Sequence, residues 1–212
     1  MIRTIWCNKR NWAGIAGFLL MITIITGCLT APEIERTRMY TLYPKGDIKT
    51  VAPLNLSLGV RPLFSARPYG PPMVYLDANQ QLGFRIRDEW AEPPASSVTR
   101  ALTDALTATC RFVDVGNAAD MARPDLILTG ELRKFHENRT TSPSTADIEV
   151  RIELRFSRNP GAVWAETLEE SIPLASDDAA GFAAAMNEAV GRLAVRAAEA
   201  IAAVEIHQTP KP

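Results

Sequence analysis

A run of nine residues, 148–156, constrains the fold of this chain more than any other stretch, because apolar and charged side chains alternate along it without a break. Successive side chains of a β-strand point to opposite faces, so this period of two predicts a strand with one buried face. The other face should meet water or a polar partner. The apolar positions are Ile148, Val150, Ile152, Leu154 and Phe156, and the charged ones are Glu149, Arg151, Glu153 and Arg155.

The segments around this run predict an antiparallel meander. Residues 125–135 also alternate, and the turn residues 159–161 lead into a returning strand over 163–172. Short strands are also predicted over 54–60 and 112–115.

A hairpin is predicted ahead of these strands. Residues 73–76 have strand character, and residues 77–80 supply a turn. In the returning strand the apolar residues Leu82, Phe84 and Ile86 alternate with Arg85 and Arg87.

Two segments show the residue spacing of amphipathic helices. One is predicted from Pro94 to Thr109, and an alanine-rich one from Ala179 to Val204. The second carries one apolar stripe along about 38 Å, enough to lie across a sheet. Core packing of this stripe is favoured, although so alanine-rich a helix could also pair with a second copy as a homo-oligomer. The predicted fold is α+β, a single domain with a largely antiparallel sheet and two main helices packed on one face.

The N-terminus has the pattern of an export signal. Arg3, Lys9 and Arg10 precede an apolar run over 12–25, and Ile25-Thr26-Gly27-Cys28 closes it. The run is shorter than the roughly 20 residues that a membrane-spanning helix needs, which favours a cleaved signal. This ending resembles the signal of bacterial lipoproteins, in which the cysteine is acylated and becomes the first residue. The alternative is an uncleaved anchor with a coincidental cysteine.

This resemblance divides the chain into four parts. They are a lipoprotein signal peptide (1–27), a lipidated tether (28–38), a periplasmic α+β domain (39–206) and a disordered tail (207–212). Two or three acyl chains on Cys28 would hold the protein on a membrane, whereas a single chain would bind only reversibly. Leu29 stands where an aspartate would favour inner-membrane retention in the enterobacterial lipoproteins that this one resembles, so the outer membrane is expected.

Charge and cysteine content limit both the partners and the cross-links that this chain can have. The formal net charge is −1, and loss of Arg3, Lys9 and Arg10 with the signal leaves 20 basic against 24 acidic side chains. A nucleic-acid partner is therefore not expected. Of three cysteines only Cys110 remains free in the mature chain, so it has no internal disulfide. We expect Cys110 to be buried as a small hydrophobe rather than reactive.

No motif in the chain predicts catalysis. The two histidines, His136 and His207, have no second histidine or cysteine at metal-ligand spacing and are expected to be surface residues without a role. A Gly-x-Ser-x-Gly turn and a Gly-rich phosphate loop are both missing from the sequence. We therefore predict no catalytic residue, no metal and no cofactor, and an enzyme is the least favoured class.

The best candidates for contact with a partner are three aromatic residues near prolines. Tyr69, Tyr75 and Trp90 lie within about twenty residues of one another, and aromatic residues are enriched at interfaces. For Trp90 a place in the core is favoured over the interface. The charged face of residues 149–155 is the alternative partner site.

Several short motifs resemble those of the auxiliary lipoproteins of ABC-type transport systems, in particular the paraquat-inducible protein C branch that accompanies Mce-domain proteins. These motifs are Tyr40-Thr41-Leu42, Val60 with Pro62 and Tyr69 leading into Met73-Val74-Tyr75, Asp88-Glu89-Trp90-Ala91-Glu92-Pro93-Pro94, and Leu126-Ile127-Leu128-Thr129-Gly130-Glu131-Leu132 running into Phe135. The third motif is the most distinctive. Family members often carry an arginine where this chain has Leu76.

The resemblance implies a non-catalytic periplasmic domain on a lipid anchor. Its task would be to help an Mce-type assembly and its ABC transporter to move lipids between membranes. The alternative is a structural or regulatory lipoprotein that binds an envelope enzyme or a secretion complex.

Overall fold

The computed structural model describes residues 36–65, 68–159 and 161–206. The signal, Cys28, most of the tether, His207 and the tail lie outside these ranges. The strands are β1 (Arg38–Tyr40), β2 (Leu54–Val60), β3 (Phe64–Ser65), β4 (Pro72–Leu76), β5 (Leu82–Trp90), β6 (Phe112–Asn117), β7 (Leu126–Asn138), β8 (Thr145–Phe156) and β9 (Ala162–Pro173). The helices are α1 (Pro94–Ala108) and α2 (Ala179–Ala203).

The long strand β7 organises the sheet. One edge pairs along nearly its whole length with β8, which pairs in turn with β9, both in antiparallel register. Along the other edge β2, β3 and β4 pair with β7 one after another, and all three are parallel to it. Beyond β2 lies β6, and beyond β4 lie β5 and then β1. Within the described residues this gives a mixed, largely antiparallel open sheet of nine strands, which confirms the predicted α+β class.

Both helices pack on one face of this sheet, here called the covered face. It carries the apolar residues of β8, from Ile148 to Leu154, and the stripe of α2, all buried. Helix α2 lies over β8 and β9, and α1 packs against α2 and β6. The predicted packing on one face is confirmed, and the stripe of α2, including Phe182 and Leu193, is occupied by the sheet rather than free for a second copy.

The helix ends follow from local chemistry. Helix α1 begins at Pro94, where proline suits the first turn because its missing N–H group needs no partner. Helix α2 is capped by Asp178, whose Oδ1 accepts a hydrogen bond from the Gly181 amide at 2.7 Å. Neither α1 nor α2, the helices of the described residues, combines the length and the hydropathy of a membrane-spanning segment.

The prediction that Cys110 is buried is wrong. Its side chain is exposed, and its φ of 53° is left-handed, the conformation that often follows the last residue of a helix. The Cys110 amide donates to the Thr107 carbonyl at 3.1 Å, so the chain turns sharply here and directs the thiol outward. The apolar pair that follows does not bring Cys110 into the core.

A segment before β2 crosses the outside of the helices. The Tyr43 amide donates to Asn187 Oδ1 at 2.8 Å, and the Arg100 guanidinium donates to the Leu42 carbonyl at 3.2 Å. Gly191 allows the close approach, because a Cβ there would lie 2.8 Å from the Lys45 carbonyl oxygen. This segment between β1 and β2 therefore contacts both helices.

Candidate partner-binding surface

The first candidate, Tyr69, is buried on the sheet face opposite the helices, here called the open face. Its hydroxyl shares a 2.9 Å hydrogen bond with His136 Nδ1, and the two rings stack with centroids 6.0 Å apart. His136 is therefore buried, and the prediction of a surface histidine without a role is wrong. Burial raises the pKa of Tyr69 and lowers the pKa of His136. Tyr69 fastens the loop before β4 to the sheet and does not present its ring to a partner.

The second candidate, Trp90, lies in the core. Its ring meets Phe135 of β7 edge-on at 5.4 Å between centroids, and Phe182 of α2 at 5.6 Å. Such edge-to-face pairs are favoured by the charge distribution of aromatic rings. Trp90 thus joins the end of β5 to β7 and to the long helix, and its side chain is not available for a partner.

Tyr75 is the one candidate that is only half-buried. The Arg139 guanidinium lies 3.9 Å from the centroid of its ring, a cation–π contact. Across the hairpin, Gly83 stands directly opposite Tyr75, and a Cβ at Gly83 would collide with the ring. The glycine lets the ring lie flat across β5 with Arg139 on top.

A buried carboxylate supports this arrangement. Glu137 of β7 stands beside Tyr75 in the strand register and is only 1% exposed. Arg139 donates to both Glu137 oxygens, at 2.8 and 2.9 Å, and Arg85 Nη2 lies 2.8 Å from Oε2. Arg85 also donates to the Asp177 carbonyl at 3.2 Å, next to the start of α2. The hydrogen bonds that Arg139 donates to the Glu137 carboxylate raise the pKa of Arg139.

Sequence reasoning missed this Glu137 cluster. Glu137 lies 52 positions from Arg85, and only the pairing of β4 with both β5 and β7 brings them together. Arg85 and Arg87 both alternate with apolar residues along β5, and no local signal shows that Arg85 binds a buried carboxylate. We call Tyr75, Arg85 and Arg139 the Tyr75 surface.

The opposite face of the same hairpin is apolar and exposed. Leu82 is 43% exposed, Phe84 50% and Ile86 94%. Phe84 stands directly opposite the buried Val74, and Leu82 opposite Leu76, so these side chains share the open face of the sheet. We call Leu82, Phe84 and Ile86 the apolar hairpin face.

The charged run of β8 lies on the open face, as its alternation predicts. Glu149 pairs with Lys134 at 2.6 Å, which raises the pKa of Lys134, and Arg133 pairs with Glu131 at 3.0 Å. These pairs are partly exposed and contribute little to stability individually. Within the described ranges no group of three His, Cys, Asp or Glu side chains could hold a metal ion.

Comparison with known proteins identifies the family. The family model for the ABC-type transport auxiliary lipoprotein component matches residues 58–198, from the end of β2 into α2. The chain belongs to this family. The match includes the hairpin, the Glu137 cluster and the whole β7–β9 meander, so the family's auxiliary domain is the fold described above. No curated protein sequence matches the chain at a significant level.

Solved structures share the fold. The protein XCC0632 from Xanthomonas campestris superposes with a TM-score of 0.68 at 21% sequence identity, over 75% of this chain and 91% of that one. An uncharacterized protein gives a TM-score of 0.64 at 14% identity, over 79% and 99% of the two chains. The hypothetical protein CT253 from Chlamydia trachomatis gives 0.50 at 10% identity, over 70% and 97%. At these identities the likeness concerns the fold alone.

Proposed function

We propose that this chain is a non-catalytic, lipid-anchored component of an ABC-type system that moves lipids between membranes, and that it accompanies an Mce-domain protein. The observation that carries the proposal is the family match over residues 58–198. The folded domain would lie in the periplasm, held to the outer membrane by acyl chains on Cys28. The domain would contribute by binding the Mce-domain protein and positioning it.

The anchor is tested by changing the cysteine that would carry it. Cys28→Ala should abolish acylation and leave an uncleaved precursor, while the wild-type chain should begin at Cys28 and carry the mass of its acyl chains. Intact-mass spectrometry reads both outcomes. A wild-type chain that begins elsewhere, without acyl chains, contradicts the anchor, and fractionation with inner-membrane markers contradicts the outer-membrane location.

The Tyr75 surface is our candidate site for the Mce-type partner. Tyr69 is buried against His136, and Trp90 is buried against Phe135 and Phe182, so neither ring is available to the partner. Two arginines next to an aromatic ring form a composition that is enriched where interfaces bind tightly. The exposed part of the Tyr75 surface is small, and it can therefore supply only part of a whole interface.

Affinity capture of the Mce-type partner tests this assignment. Tyr75→Ala should weaken capture about tenfold or more, since truncation of an interface aromatic often costs 1 to 2 kcal/mol. The matched control is Tyr43→Ala, a more exposed tyrosine on the helix side of the domain. Capture that survives Tyr75→Ala unaltered moves the interface to the charged open face of Glu149, Arg151, Glu153 and Arg155. Failure of the wild-type chain to capture an Mce-domain protein favours a structural or regulatory lipoprotein instead.

A further inference from the structure

The apolar hairpin face is the largest group of exposed apolar side chains on one strand within the described residues. Leu82, Phe84 and Ile86 occupy alternate positions of β5, and Met39 of the neighbouring β1 is 67% exposed. Isolated exposed apolar residues are ordinary, but a contiguous apolar patch indicates contact with another surface.

The chain leaves the domain beside this patch. Strand β1 pairs with the end of β5, and Arg38 stands opposite Asp88. Ile86 is two residues before Asp88 and therefore at most about 7 Å from it. Arg38 is ten residues after Cys28, and ten extended residues span at most about 36 Å. A membrane that holds Cys28 would therefore lie within about 36 Å of Arg38, next to the patch.

The charges around the patch favour an anionic surface. Of the four arginines in residues 36–39 and 82–89, Arg85 pairs with Glu137 on the covered face, which leaves three beside the patch. Arg36 and Arg87 are exposed, and the exposed Arg38 bonds the buried Asp88 at 2.8 Å. Apolar side chains flanked by cations are typical of segments that lie in the interface of an anionic bilayer.

We propose that the apolar hairpin face inserts into the lipid surface that carries the anchor. This inference rests on the proposed function through the acylated Cys28. The tether keeps the patch at a high effective concentration near the bilayer, so even a weak affinity for lipid is sufficient to keep the patch inserted. The insertion turns the open face at β5 toward the lipid and gives the domain a preferred orientation, in place of free rotation on its tether.

Fluorescent probes on the lipidated full-length chain test this orientation. A Cys110→Ser background removes the exposed thiol, and Ile86→Cys then carries an environment-sensitive dye. Matched controls are Phe64→Cys and Tyr43→Cys, at positions 69% and 71% exposed on other parts of the domain. The proteins are reconstituted into vesicles of phosphatidylethanolamine and phosphatidylglycerol that contain a nitroxide-labelled lipid. Melting temperatures verify that each variant is folded.

We expect the nitroxide lipid to quench the dye at position 86 several-fold more strongly than at positions 64 and 43. Equal quenching at all three positions, in protein that floats with the vesicles, overturns the inference and leaves the anchor intact. A blue-shifted but unquenched dye at position 86 also overturns it, because a second copy or another protein then covers the patch. Wild-type protein that does not float with vesicles contradicts the acyl anchor, and the proposed insertion is then rejected as well.

Discussion

Residues 84–87 of β5 and residues 148–156 of β8 have the same alternation of apolar and charged side chains but opposite burial. In β8 the apolar residues Ile148 to Leu154 are at most 1% exposed, whereas in β5 Ile86 is almost fully exposed and Arg85 is turned toward the buried Glu137. The period of two thus reports that a segment is a strand with two different faces. It does not report which face is covered.

The register explains the inversion. Ala146 and Ile148 of β8 lie on the covered face, and Glu137 stands opposite Ala146, Tyr75 beside Glu137, and Gly83 opposite Tyr75. Gly83 and Arg85 therefore lie on the covered face, and Leu82 and Phe84 on the open one. At this end of the sheet an ion pair and an aromatic ring occupy the place that aliphatic residues take in β8.

The largest difference in stability is expected between the same substitution made in β8 and in β5. Ile152→Asp places a charge in a fully buried position and should destabilise the domain by about 5 kcal/mol or more, enough to unfold most domains of this size. Ile86→Asp should change stability by less than about 0.5 kcal/mol, because the side chain stays in water. Thermal denaturation of both variants checks the contrast. Equal destabilisation would place position 86 in the core.

Removing the carboxylate beneath the hairpin should have the next largest effect. Glu137→Ala leaves Arg85, whose side chain is only 13% exposed, without its counter-ion, and breaking a buried pair in this way costs about 3 to 5 kcal/mol. The control Glu131→Ala breaks the exposed pair with Arg133 and should cost about 1 kcal/mol or less. Urea denaturation compares the two variants. Similar midpoints would mean that the Glu137 cluster does not hold the hairpin.

A smaller effect is expected from the pH dependence of the Tyr69–His136 contact. Burial lowers the pKa of His136 in the folded state, while the unfolded chain binds a proton near pH 6.5. The unfolded state then holds more protons between these two pKa values, so stability falls as the pH drops below about 6.5 and is constant above it. His136→Gln should flatten this part of the melting temperature profile. A variant with the wild-type slope would assign the pH dependence to other groups.

Local patterns were sufficient for most of the elements but not for their pairing. Helix α1 begins at the predicted Pro94 and α2 at the predicted Ala179, because caps and apolar spacing are local signals. The parallel contacts of β7 with β2, β3 and β4 depend on residues far apart in sequence, and no local signal specifies them. Tyr69 and His136 are 67 positions apart, so neither the burial of His136 nor the loss of Tyr69 as a contact residue could be predicted from composition.

The role of Tyr69, Tyr75 and Trp90 as contact residues stays a prediction, and the structure shows only which of them are accessible. The segment from Tyr69 to Trp90 contains the exposed hairpin, but only Tyr75 of the three aromatic candidates keeps part of its ring accessible. Sequence favoured aromatic residues as contacts, whereas the exposed residues of this segment include the aliphatic Leu82 and Ile86. Which face of β5 is covered follows from cross-strand register, and register depends on the whole sheet.

Thiol labelling tests most directly the claim that these two alternating segments of β5 and β8 bury opposite faces. In a Cys110→Ser background, the variants Ile86→Cys and Val150→Cys are each treated with a thiol reagent under native conditions, in the absence of membranes. The exposed position 86 should react at nearly the rate of an unfolded peptide. The fully buried position 150 should react only through unfolding, at a rate lower by orders of magnitude. Protection of position 86 equal to that of position 150 would contradict the account.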